Sequence, residues 1–92
     1  MLRITRISQT PEKTVLKVEG WIWGMDVRLL TDEGTHHLQE GRSLVLDLSG
    51  VRSIDREGIA QLKQWAGERL VLRGAQPFVQ ALLTDHGLEI QE

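Results

Sequence analysis

A chain of 92 residues, 40% hydrophobic and 26% charged, is long enough for one domain with a single core and too short for a second. The formal charge of −2, with basic residues interleaved among acids, argues against a nucleic-acid partner, which needs a clustered surplus of Lys and Arg. Cysteine is absent, so thiol chemistry, disulfides and Cys-based zinc sites are excluded, and Leu, Val, Ile and Trp must supply the core.

The amino end, MLRITRIS, lacks the apolar stretch of a signal peptide, and no run approaches membrane-spanning length. The expected setting is therefore soluble and cytoplasmic, without direct membrane insertion. Leu2 to Ile7 alternates imperfectly, as a half-exposed edge strand does, and Ser8 to Lys13 reads as a turn. Thr14 to Gly20 alternates cleanly, with Val15, Lys17 and Glu19 on one face and Leu16 and Val18 on the other. These two strands are expected to form an antiparallel hairpin. After Gly24 the period lengthens: Val27, Leu30, Gly34 and Leu38 make a helical stripe, Asp26 suits the positive end of the helix dipole, and Gly41 ends the helix.

Leu44-Val45-Leu46 is apolar at successive positions, the mark of a strand covered on both faces. Asp47-Leu48-Ser49-Gly50 then reads as a turn, and Asp55 as the N-cap of a helix with a stripe of Ile59, Leu62 and Ala66, Trp65 beside them. Gly67 ends that helix, and Leu70-Val71-Leu72 is a second buried strand. Gln76-Pro77 opens a last helix whose buried face is Phe78, Val79, Leu82 and Leu83. Gly87 closes it, and Leu88 to Ile90 is a short final strand. The order β-β-α-β-α-β-α-β predicts an α/β fold over residues 1–92: a mixed, mostly parallel sheet with crossover helices packed around it.

The stretch LVLDLSGVRSIDREG, Leu44 to Gly58, followed by IAQLKQW, resembles the signature of STAS domains, the fold of anti-sigma factor antagonists and of sulfate-transporter tails. The match falls at Asp47, Leu48, Ser49, Gly50, Val51, Ile54, Asp55 and Gly58, and the element order agrees over nearly the whole chain. The resemblance implies binding rather than catalysis, with no catalytic residue, metal or cofactor. In the antagonist branch the residue after the second Asp is a serine, phosphorylated by a partner kinase that is itself an anti-sigma factor. Carried over by position, that serine falls at Arg56 and the family's next serine at Glu57. Neither accepts a phosphoryl group. Glu57 is a poor mimic of phosphate, since it brings one charge and Arg56 offsets it. The implied contact surface is Asp55, Arg56, Glu57 and Gly58 with the helix they open. The bland reading of Arg56 and Glu57 is a solvated first turn, with Glu57 favoured by the dipole.

Three further features have competing readings. Trp21 and Trp23, two apart in GWIWGMD, project from one face of an extended chain. The expectation is that they cap the core under the first helix, and the alternative is a recognition patch beside Asp55. His36 and His37 lie near Glu33 and Glu40 at spacings that suit a metal, but nothing completes a site, so a solvated polar face is expected. His86 suits the negative end of the last helix. Asp47 and Asp55 follow strand positions where catalytic carboxylates occur, but the first strand offers no acids to hold magnesium, so turn formation and capping are the simpler roles. Two functions remain open: a protein-binding module of anti-sigma-antagonist type, whose partner is an anti-sigma factor or kinase, and an accessory subunit bound to the ATPase of an ABC-type membrane transporter.

Overall fold

The computed structural model describes residues 1–91. Its elements are β1 (Leu2–Gln9), β2 (Lys13–Ile22), α1 (Asp26–Gln39), β3 (Ser43–Ile54), α2 (Arg56–Trp65), β4 (Leu70–Arg73) and α3 (Pro77–Asp85), in one sheet of order β1-β2-β3-β4. β1 pairs antiparallel with β2, while β2–β3 and β3–β4 are parallel, as the α/β pattern predicts. The expected eighth element is only a bridge. Residues 88–90 form no strand, and a single parallel pairing of Gln91 with Arg73 marks the place where a fifth strand would lie, with Gln91 N–H donating to Leu72 O at 2.7 Å.

Leu16, Leu46 and Leu72 occupy one register row across the three parallel strands. Their common face carries the core, joined by Val27 and Leu30 from α1, Ile59, Leu62 and Trp65 from α2, and Val79 and Leu83 from α3. Each parallel strand is added on the same side of the one before it, so right-handed crossovers place all three helices on this one face. Helices on both sides were the expectation, and the constant direction of strand addition rules it out. Val15 and Val45 are buried too, but they lie outside that core cluster, on the opposite face, in a row with Val71. The apolar run Leu44-Val45-Leu46 thus marks a central strand rather than one between two helix layers.

Helix packing corrects three stripes. Ala66 is exposed, and α2 buries Gly58, Ile59, Leu62 and Trp65 instead. The Trp65 ring lies where a Cβ on Gly34 would sit, 2.8 Å from Cζ2, so α1 and α2 approach through this glycine. On α3 only Val79 and Leu83 are buried, and Phe78 is 68% exposed. His37 was expected in solvent with its neighbour His36, yet it is 2% exposed, because it continues the stripe of Leu30 and Gly34. Its ring is held at 3.1 Å by Thr14 Oγ1 at Nδ1 and at 3.1 Å by Glu33 Oε2 at Nε2, while Arg42 reaches Nδ1 at 3.3 Å. Arg42 can only donate, so Nδ1 accepts and Nε2–H donates to Glu33.

Candidate functional site

The chemistry-bearing residues converge at the carboxyl ends of β2 and β3, the edge where open α/β sheets place their sites. β2 has 10 residues and β3 has 12. The two extra residues are absorbed where the β2–β3 register shifts, once opposite Lys17 to Glu19 and once opposite Gly20 to Trp21. The first shift contains Asp47 to Gly50. This segment is a bulge inside a continuous strand, not the expected turn, with Ser49 N–H donating to Asp47 Oδ1 at 2.9 Å. That hydrogen bond, with Lys17 and Arg73 nearby, holds the Asp47 carboxyl below its ordinary range against the opposing effect of burial.

Asp55 caps α2 as its position predicts. Oδ1 accepts from Gly58 N–H at 2.9 Å, and Oδ2 accepts from Gly24 N–H at 2.9 Å in the turn between β2 and α1. One carboxylate therefore closes a helix and ties it to the neighbouring connection. Partial burial would raise the Asp55 carboxyl, but the hydrogen bonds from Gly58 and Gly24 outweigh it and hold the group below its usual range. Gly58 is buried, and a Cβ there would come within 2.7 Å of Ile54 Cγ1, 2.8 Å of Ile22 Cγ2 and 3.0 Å of Ile22 O. Its role is close approach of α2 to the strand ends.

Because both register shifts add residues to β3, the alternation of β2 is undisturbed. Ile22 points into the core at 0% exposure, so Trp21 must point away. Trp21 is 38% and Trp23 50% exposed, which corrects the expectation that they cap the core. Their rings lie 6.3 Å apart at 51°. Trp23 Nε1–H donates to Ser53 Oγ at 3.3 Å, and Trp21 pairs with Ser53 across β2–β3. The tryptophan pair is thereby set over the β3–α2 junction, beside Asp55.

Arg56 and Glu57, both exposed, open onto different sides of α2. Arg56 lines a groove between α2 and α3, whereas Glu57 lines a cleft toward α1 with Arg28 and Asp32. The structure thus gathers Trp21, Trp23, Asp55, Arg56, Glu57 and Gly58 at one end of the sheet, with Gly58 beneath the surface. Sequence reasoning did not reach Ser53 or Gly24 as the ties between the two connections, since a hydrogen bond spanning about thirty residues leaves no periodic trace. The i,i+4 pair Glu33–His37 does form, but Thr14 and Arg42 occupy the other ring nitrogen.

This architecture is that of a STAS domain, and a family model described as "Mlab, STAS domain" matches residues 5–90. The chain belongs to that family. Among solved structures it is similar to the anti-sigma factor antagonist SpoIIAA in its unphosphorylated form, with a TM-score of 0.76 and 16% identity over 94% of this chain and 82% of that one. No curated relative matches the sequence. Among the described residues, no helix is long and apolar enough to cross a membrane.

Proposed function

We propose that this STAS domain is a non-catalytic docking module for a protein partner, using Trp21, Trp23, Asp55, Arg56 and Glu57 as its contact surface and lacking the hydroxyl of a phospho-switch. The observation that carries this reading is the exposed tryptophan pair held over the β3–α2 junction. Large aromatics with half their surface in water are favoured anchors in interfaces, and here two are fixed by backbone pairing and by Ser53. Arg56 stands at the position that accepts phosphate in the antagonist branch, so docking is constitutive or regulated by another route. The likeness to SpoIIAA supports an anti-sigma factor or related kinase as the partner class.

A second reading has the same surface engage the ATPase of a transporter, which the missing hydroxyl and the exposed tryptophans both suit. Affinity capture with mass spectrometry separates the two by the partner it names. Trp21→Ala with Trp23→Ala should weaken capture about thirtyfold, the scale of a pair of interface anchors. Arg56→Glu should weaken it as well. Capture unchanged by all three substitutions would remove this surface from the account. Incubation with the captured kinase and ATP should leave the intact mass unaltered, and one phosphate per chain on Ser53 would overturn the claim that the switch is lost.

A further inference from the structure

The groove that Arg56 enters has a character of its own. It encloses about 430 Å³ between α2 and α3. Ile54 and Ile59 form its floor, Ala60 and Leu82 its walls, and Arg56, Lys63 and His86 its rim. Among the described residues no acidic side chain lines it, although acids outnumber bases in the chain by 13 to 11. The cleft on the other side of α2 differs, since it mixes Arg28 with Asp32 and Glu57.

Helical spacing organises both walls. On α2, Arg56, Ala60 and Lys63 succeed one another at four and three residues, so they share one face. On α3, Phe78, Leu82 and His86 recur every four residues. Phe78 does not enter the core, and its exposed side chain lies one turn before Leu82 on the same helix face. Arg56 to Lys63 covers about 10 Å of helix axis, room for about two turns of a partner helix lying alongside.

We propose that this groove is a second docking site, specific for an acidic amphipathic helix of a partner protein. Apolar side chains of that helix fill the floor between Ile59 and Leu82, while its flanking Asp or Glu residues meet Arg56, Lys63 and the His86 ring. The uniformly basic rim selects the sign of the partner, and the apolar floor selects its amphipathicity. This inference rests on the reading of the domain as a docking module and names the chemistry of one segment of its partner. It also accounts for the division at the α2 N-terminus, where the cation serves the groove and the anion stays outside it.

The test uses the isotopically labelled domain and two synthetic helical peptides with the same leucine stripe, one flanked by Glu and the other by Lys. The Glu peptide should saturably shift backbone amides of α2 and α3, and the Lys peptide should not. Lys63→Glu and Ala60→Glu, both at exposed helix positions, should each weaken the Glu peptide about tenfold or more. Trp21→Ala with Trp23→Ala should leave it within about twofold. Equal binding of the two peptides, no saturable shift, or shifts elsewhere would overturn the proposal. The same variants applied to capture of the natural partner separate the two claims. If the tryptophan variants abolish capture and the Glu peptide does not bind, the groove fails and the docking surface stands. If the Glu peptide binds as described while no variant alters capture, the docking surface fails and the groove stands as a peptide site.

Discussion

The two halves of the β2–β3 pair are built differently. Over Lys13–Lys17 and Ser43–Asp47 the register is unbroken, and Leu16, Leu44 and Leu46 are fully buried. Over Glu19–Ile22 and Gly50–Ile54 the register shifts, and exposed tryptophans, an engaged serine and a doubly bonded carboxylate take over. The first half is regular because its apolar side chains are all buried, and any slip would turn the leucines outward. In the second half the extra residues of β3 re-aim the strand end, so that α2 starts against the β2–α1 turn. Both halves feed the core, Ile22, Val51 and Ile54 as well as the leucines, while the proposed docking surface lies on the irregular half.

Substitutions can break that contrast, and the largest effect belongs to the regular half. Leu46→Ala removes a fully buried side chain from the central strand and should cost about 3 kcal/mol by denaturant unfolding. A cost under about 1 kcal/mol would mean that this row is not the core.

Gly58→Ala sharpens the contrast at the irregular end. Alanine improves helix propensity by up to about 1 kcal/mol, but its Cβ meets Ile54, Ile22 and the Ile22 carbonyl, and overpacking of this kind costs about 1–3 kcal/mol. The backbone oxygen cannot rotate away as a side chain can, so net destabilisation is expected. A stabilised variant would show that α2 shifts freely.

Asp55→Asn has the smallest effect and isolates the second oxygen. The amide oxygen still caps Gly58, but the NH2 group then faces the Gly24 N–H, donor against donor, at a cost of about 1 kcal/mol near neutral pH. The carboxyl of Asp55 is depressed in the folded state, so its contribution is present above the unfolded carboxylate value, near pH 4, and is lost as pH falls through the folded value. Asp47 has the same sign. The thermal midpoint of the wild type should therefore drop through and below about pH 4, and that of Asp55→Asn should drop less steeply. Parallel curves would show that Asp55 contributes nothing beyond a neutral cap.

Much of this fold is legible in the chain because its signals are local. Apolar triplets mark β3 and β4, Asp55 announces a helix start, and Pro77 and Gly87 bracket α3. The position of Trp21 follows from alternation: with Ile22 buried, its neighbour in β2 points the other way. Phe78 and Ala66 were misplaced because periodicity sets the angular width of a helical stripe but not the depth of the surface it meets. His37 is buried because its place on the stripe of Leu30 and Gly34 prevails over its polarity, which Thr14 and Glu33 satisfy.

By itself the amino-acid sequence determined the order of the first seven elements and the α/β class. These follow from residue type and spacing, which act over a few neighbours. Only the tertiary structure decided that all helices share one face, that Asp55 reaches Gly24, and that Arg56 and Glu57 open onto different grooves. Those outcomes depend on which segments, distant along the chain, meet when the shared core excludes water, and that is a property of the assembled layers.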